Sequence, residues 1–148
     1  MDKKQLSNRL KQLAIRTARF CLKLPYSIGN KIYIGQILRS SCSAASNYRA
    51  ACRGKSRADF IFKLKIVEEE LDETLFFYEM LAEFNVTFKL ELRELFKEGN
   101  ELLSIIVSSI NTASKKIPVS KYQVLKTNKI PNLKSKIIYC GIRKTPEK

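Results

Sequence analysis

Apolar and small residues recur every three or four positions along four consecutive stretches of this chain, and this spacing constrains the fold most. The third stretch is the most regular, with a seam formed by Phe60, Leu64, Val67, Leu71, Thr74, Tyr78 and Leu81. A heptad-like seam of this kind favours helices that pack nearly antiparallel, crossing at about 20°. The pattern therefore predicts an all-α protein.

Turn and capping residues set the predicted ends of the helices. We expect helices over residues 5–24, 31–53, 56–84 and 88–114, with a turn over residues 26–30. Pro25 and Gly54 end the first two helices, because proline cannot continue a helix and glycine commonly follows a helix end. The segment 56–59, Ser-Arg-Ala-Asp, is a predicted capping box, and Thr87 is the candidate N-cap of the fourth helix.

The other three stretches have seams of the same spacing. The first consists of Leu6, Leu10, Leu13, Thr17, Cys21 and Leu24, the second of Ile34, Leu38, Ser41, Ala45, Tyr48 and Cys52, and the fourth of Phe88, Leu92, Leu95, Gly99, Leu102, Ile106 and Ile110. Short turns between helices of this length predict an antiparallel up-down-up-down four-helix bundle over residues 1–114. Residues 40–46 are unusually small, which lets another helix approach closely, either within the bundle or from another subunit.

Residues 115–148 break the helical pattern. They contain Pro118, Pro131, Pro146 and Gly141 among many lysines, and they predict a basic, mostly irregular and disordered tail. Two segments of this tail, 119–125 and 136–142, hold enough β-branched and tyrosine residues for a short strand or for an element that orders on a partner.

The composition argues against most enzyme classes. The chain has no histidine, the commonest general base and transition-metal ligand, and no C-x-x-C pair among its four cysteines. We therefore expect no catalytic residues, no metal and no cofactor, although chemistry that needs only carboxylates is not excluded. The cysteines are expected to be buried free thiols of a reducing compartment.

The N-terminal residues are charged and lack the apolar region of a signal peptide. The longest apolar run, residues 102–110, is far shorter than the roughly 20 residues of a membrane span. We expect a soluble, cytoplasmic protein without a membrane partner.

Charge is distributed unevenly along the chain. Residues 1–65 carry a net +13, residues 66–114 a net −8 and residues 115–148 a net +9, for a total of +14. Two basic segments flanking an acidic one predict helices that attract each other, with surplus positive charge for an anionic partner.

Three segments of the predicted second and third helices carry a family resemblance. They are QILRS at 36–40, NYRAACRGKSRADFI at 47–61 and IVEEELDETL at 66–75. These segments closely resemble the bacterial four helix bundle protein family, also called the 23S rRNA intervening-sequence proteins. The resemblance covers about residues 6–114 and is densest over 35–81, whereas the tail lies outside it and the chain lacks the tryptophan that many members place in the first helix.

The resemblance implies a four-helix protomer that assembles into a ring-like homopentamer. The same fold is used by the accessory protein of diversity-generating retroelements, which looks like a basic barrel that binds a reverse transcriptase and nucleic acid. The resemblance thus implies RNA or DNA, or a protein, as the partner class without choosing among them.

Two groups of basic residues are the candidate nucleic-acid contacts. One is the corner between the second and third helices, with Arg49 and Arg53 one turn apart and Lys55 and Arg57 in or beside the capped turn. The other is the start of the tail, Lys115, Lys116 and Lys121, where lysines can neutralise phosphates and the tail tyrosines can stack on bases. The alternatives are salt bridges to acidic residues for the corner, and solubility or docking on the bundle for the tail.

Four residues are the candidate oligomer contacts. Ser43 lies in the small-residue segment, and Asn47 could hydrogen-bond across an interface as buried asparagines do in coiled coils. Glu69 and Glu73 share one face of the acidic run and could pair between helices or between subunits. Asn47 could equally be exposed, the acidic run could be a plain solvated face, and the small-residue segment could serve packing within the bundle.

The sequence thus predicts a non-enzymatic, homo-oligomeric helical-bundle protein that binds nucleic acid through basic surface residues. The alternative is a structural or adaptor protein that binds a protein partner without nucleic acid, with the charge asymmetry serving assembly alone.

Overall fold

The computed structural model describes residues 2–115. They form helix α1 at Lys3–Cys21, helix α2 at Ile28–Ala51, helix α3 at Arg57–Phe84 and helix α4 at Lys89–Lys115, with a 3₁₀ turn at Val86–Phe88 before α4. No strand occurs between residues 2 and 115. The predicted all-α fold is confirmed.

Side-chain caps begin the first two helices earlier than predicted. The Asp2 carboxylate accepts from the backbone N–H of Gln5 at 2.7 Å, and the Gln5 side chain accepts from the backbone N–H of Asp2 at 3.0 Å. This reciprocal capping box starts α1 at Lys3. The Ser27 hydroxyl accepts from the N–H of Asn30 at 3.0 Å, so α2 begins at Ile28 and the prediction of a turn through Asn30 is wrong.

The predicted cap of α3 is confirmed in part, and the predicted cap of α4 is wrong. The Ser56 hydroxyl accepts from the N–H of Asp59 at 3.1 Å, which confirms the serine half of the predicted capping box. The predicted N-cap at Thr87 is wrong, because Thr87 lies inside the 3₁₀ turn, where Phe88 N–H donates to the Asn85 carbonyl at 2.9 Å. Helix α4 also extends through Lys115, one residue into the predicted tail.

Side-chain contacts show how the helices run relative to one another. Ser40 of α2 is hydrogen-bonded to Thr74 of α3 at 2.9 Å, while the start of α2 meets the end of α3 through Asn30 and Asn85. Salt bridges join Arg9 of α1 to Glu98 of α4, and Lys23, just past the end of α1, to Glu91 of α4, so these two helices also run in opposite directions. Each helix packs against two others, and the contacts indicate an antiparallel bundle.

The core confirms three of the four predicted seams. The seams of α1, α3 and α4 are buried except at Leu24, Phe60 and Phe88, which are half-buried. In α2 the predicted Ile34, Leu38 and Cys52 are only half-buried, and the buried residues there include Ile37, Ser40, Ala44 and Ala51. The reason is that α2 packs against both α1 and α3, and its small residues let it bury two adjacent rows.

Gly99 marks the closest approach of side chains in the α4 seam. A Cβ atom at this position would lie 2.9 Å from a terminal methyl of Leu75 and 3.7 Å from one of Leu13. The space that glycine leaves is therefore filled by side chains of α3 and α1, which explains a glycine in the interior of a long helix.

The cysteines differ in exposure. Cys21 is buried and Cys52 is half-buried, but Cys42 is exposed, so the prediction of a buried thiol is wrong at Cys42. It lies on the outer side of α2, away from the row that packs on the bundle. Cys140 and the predicted tail over residues 116–148 lie outside the described residues. None of the helices in residues 2–115 has the length and apolar content that a membrane crossing requires.

Candidate functional site

An open groove lies between the start of α1 and the end of α2. It has a volume of about 570 Å³ and is lined by Lys3, Lys4, Ser7, Asn8 and Lys11 from α1 and by Arg49, Cys52 and Arg53 from the end of α2. We call this surface the basic groove.

Helical spacing and antiparallel packing together form the basic groove. Of the lining residues of α1, Lys4, Asn8 and Lys11 lie on its exposed side, whereas Lys3 and Ser7 lie at the edge of the buried face. Arg49 and Arg53 are one helical turn apart, as the sequence predicts, and both are exposed. Because α1 and α2 are joined by a short connection, the start of one lies beside the end of the other.

The described lining of the basic groove is strongly positive. Eight residues of the described part of the chain line the groove; five of these are cationic and none of the eight is acidic. The salt bridges among residues 2–115 use Arg9, Lys23 and Arg39, none of which lines the groove. Two rows of lysine and arginine therefore face solvent together, which attracts anions.

The structure does not bring the four basic residues predicted at the corner between α2 and α3 together on one surface. Arg49 and Arg53 line the basic groove, but Arg57 points elsewhere, since its Nε donates to the Ala113 carbonyl at 2.9 Å. A cation at the C-terminal end of α4 also interacts favourably with the helix dipole. Lys55 is exposed in the connection between α2 and α3 and does not line the groove.

Of the candidate lysines at the start of the tail, only Lys115 is described. It is exposed in the last turn of α4, beside a shallow surface depression that Ser104, Ser108 and Thr112 also line. Lys116 and Lys121 lie outside the described residues.

The candidate interface residues make contacts inside the protomer. The side-chain amide of Asn47 donates to the carbonyl and the hydroxyl oxygen of Ser43, at 3.1 and 3.2 Å, and both residues are half-buried on α2. Glu73 is paired with Arg39 of α2, and this hydrogen bond raises the pKa of Arg39. Glu69 is exposed.

Glu70 extends this pairing between α2 and α3. Its carboxylate lies 3.7 Å from the Arg39 guanidinium, and one of its oxygens is buried without a hydrogen bond from any described residue. Two carboxylates of the acidic run on α3 therefore lie against Arg39 of α2. Within the described part of the chain, no three Cys, Asp or Glu side chains come together as a metal site requires.

Sequence reasoning missed the half of the basic groove that α1 contributes, Lys3, Lys4 and Lys11. The sequence does contain the information needed to predict them. The short connection after Pro25 predicts that the first two helices are antiparallel neighbours, so the first turns of α1 should lie near Arg49 and Arg53. Sequence reasoning also missed the buried pair of Asn30 and Asn85, which lie 55 residues apart and have no local pattern that links them.

Comparison with known proteins supports the family resemblance. No family model matches the chain, and no curated protein matches it. A solved structure of a protein of unknown function from the S23 ribosomal protein family of Bacteroides thetaiotaomicron is similar, with 26% sequence identity and a TM-score of 0.66. The similarity covers 75% of this chain and 99% of that chain. The chain is thus similar in sequence and fold to a member of the S23 ribosomal protein family, which confirms the resemblance to rRNA intervening-sequence proteins.

Proposed function

We propose that this protein is a non-enzymatic, homo-oligomeric helical-bundle protein that binds nucleic acid through the basic groove. One observation carries the proposal: of the eight residues between 2 and 115 that line the groove, five are cationic and none is acidic. Phosphate groups are the anions that such a surface fits, because guanidinium groups form paired hydrogen bonds to phosphate oxygens and lysines neutralise their charge.

Binding of this kind depends on salt. Each phosphate that the protein neutralises releases condensed counterions, so the affinity falls as salt rises, with a slope of about 0.7 to 0.9 per contact on a double-logarithmic plot. The number of cations that bind phosphate can therefore be counted from a titration at several salt concentrations.

The test compares two double variants of equal charge. Arg49→Gln/Arg53→Gln removes two cations from the groove, whereas Lys89→Gln/Arg93→Gln removes two exposed cations at the same helical spacing on α4. Fluorescence anisotropy with a labelled rRNA fragment should show weaker binding and a slope lower by about 1.4 to 1.8 for the groove variant. The α4 variant should bind nearly as the natural protein does.

Two results contradict the proposal. One is the absence of binding at about 50 mM salt, where such electrostatic association is strong. The other is an equal loss in the two variants, which would show that net charge matters and the groove does not. A Lys116→Gln/Lys121→Gln variant, measured in the same way, tests the tail lysines.

Uncovered apolar side chains on α2 and α3 support self-association. The rings of Tyr33 and Phe84 are stacked at 5.8 Å between centroids, and Phe77 lies 6.2 Å from Tyr33. Ile32, Phe76 and Phe84 are more than half exposed around them. A second copy covering this surface would remove it from water, and the family resemblance implies five copies. Light scattering of the full chain measures the mass, and Phe76→Glu should shift it toward the monomer.

A second candidate function rests on a different surface. At the end of the bundle away from the basic groove, Leu22 is 87% exposed, Leu90 80% and Val86 73%. Tyr26 and Ile28 are exposed in the connection from α1 and at the start of α2. An apolar end of this kind favours an adaptor that binds a protein partner. Recovery of one dominant protein in a pull-down, unchanged after nuclease treatment and lost in Leu22→Ser/Leu90→Ser, would favour this function.

A further inference from the structure

We propose that the basic groove recognises the sugar–phosphate backbone of a double-stranded nucleic acid and makes no stacking contact with bases. This inference rests on the proposed function. The first observation is chemical. Among residues 2–115, the lining residues that are not cationic are Ser7, Asn8 and Cys52, and none of the lining residues in this range is aromatic.

The ring of Phe60 contacts Lys3, which lines the groove, but Phe60 itself is not among the lining residues. Lys3 lies over the ring of Phe60, with 5.5 Å from its ammonium nitrogen to the ring centroid. Phe60 is half-buried and lines a neighbouring depression with Arg57 and Tyr48. That ring face is therefore occupied by a cation of the same protomer and does not offer a stacking platform for a base.

The second observation is geometric. Lys4 and Lys11 are seven positions apart on α1, which separates them by about 10 Å along the helix. Arg49 lies in the last turn of α2, and Arg53 lies two residues past the end of that helix. Packed helices have axes about 8 to 10 Å apart. The cations thus form two rows, one along α1 and one at the end of α2, and two rows can contact two phosphate backbones at once.

The third step compares the two classes of nucleic acid. A duplex carries one charge per about 1.7 Å of its axis, against about 3.4 Å for each of its strands. Proteins that favour single strands add base stacking on aromatic side chains, worth about five- to a hundredfold in affinity per base. The described residues give the groove charge but no stacking surface, so its affinity should follow charge density and favour the duplex.

The experiment uses the full chain and three labelled DNA probes of equal length. They are a duplex of about 20 base pairs, one pyrimidine-rich strand of it, and the same strand with abasic sites throughout, all measured by anisotropy at about 100 mM salt. We expect the duplex to bind at least about fivefold more tightly than the strand, and the abasic strand to bind within about twofold of the normal strand.

The groove contribution is isolated by the two double variants. Arg49→Gln/Arg53→Gln should weaken normal and abasic strands by the same factor and weaken the duplex by a larger one. Lys89→Gln/Arg93→Gln should change none of the three by more than about twofold. Tyr122 and Tyr139 are present in every variant, so their contribution cancels in these ratios.

The outcomes separate this inference from the function on which it rests. If the strand binds as tightly as the duplex, or if the groove variant loses more affinity for the normal strand than for the abasic strand, backbone recognition of a duplex is refuted while nucleic-acid binding stands. If none of the DNA probes binds while the rRNA fragment does, backbone recognition of a duplex by charge alone is likewise refuted. If the rRNA fragment also fails to bind, the proposed function itself is refuted.

Discussion

Replacing Asn85 with alanine should cost more stability than any surface substitution in this protein, because its side chain belongs to a buried amide pair. The Asn85 amide donates to the Asn30 side-chain oxygen at 2.8 Å and to the Leu81 carbonyl at 2.9 Å. The Asn30 amide donates back to the Asn85 oxygen at 3.0 Å and also to the Pro25 carbonyl at 2.8 Å. The pair joins the first turn of α2 to the end of α3.

The magnitude follows from the groups that lose partners. In Asn85→Ala the side-chain oxygen of Asn30, a residue that is only 3% exposed, keeps no donor among the described residues. An orphaned buried acceptor costs about 1 to 3 kcal/mol, and the bond to Leu81 adds about 1 kcal/mol. We expect a loss of about 3 kcal/mol, a large share of the roughly 5 to 15 kcal/mol that stabilise a domain.

Urea unfolding followed by far-UV circular dichroism, at one fixed protein concentration, measures this loss. The double variant Asn30→Ala/Asn85→Ala should be less destabilised than the sum of the single variants by about 1 to 2 kcal/mol, since the orphaned group is gone. Asn100→Ala, at an exposed position of α4, is the control and should stay within about 0.5 kcal/mol of the natural protein. A loss below about 0.5 kcal/mol in Asn85→Ala, or additive single variants, would refute the reasoning.

Two further predictions concern buried titratable groups. Burial raises the pKa of the Cys21 thiol to about 11, whereas Cys42 is exposed. At about pH 8 an alkylating reagent should therefore modify Cys42 readily and Cys21 only after denaturant is added; peptide mass spectrometry checks this, and equal rates would contradict the burial of Cys21. Burial also raises the pKa of Tyr78, so the folded protein keeps a proton that the unfolded chain releases. This contribution to stability is fully present below about pH 10 and is lost as the pH rises further, so Tyr78→Phe should flatten the pH dependence of unfolding in that range, and an unchanged slope would argue against it.

The hydrophobic spacing predicts much of the fold because the information is local. A residue one helical turn from another lies on the same face whatever the helix packs against, and the seams of α1, α3 and α4 are buried largely as predicted. The first residue of each helix is predicted less well than its buried face. Ser27 and Asp2 start their helices earlier than expected, and Thr87 lies inside a 3₁₀ turn instead of capping α4.

The residues of the candidate site are predicted less well from the sequence than the helices are. The sequence identifies Arg49 and Arg53 as one-turn neighbours but does not distinguish them from Arg57, which reaches the end of α4. Lys3 and Lys11 join the groove because α1 runs antiparallel beside α2.

By itself the sequence determined the helices, most of their buried faces and the surplus of positive charge, since all of these depend on the 3.6-residue period and on composition. Only the tertiary structure decided which cations share a groove, which carboxylates pair with Arg39, and that Asn30 meets Asn85. These contacts join residues far apart in the chain, and the rotation of each helix about its axis is set by packing on its neighbours, which no local pattern encodes.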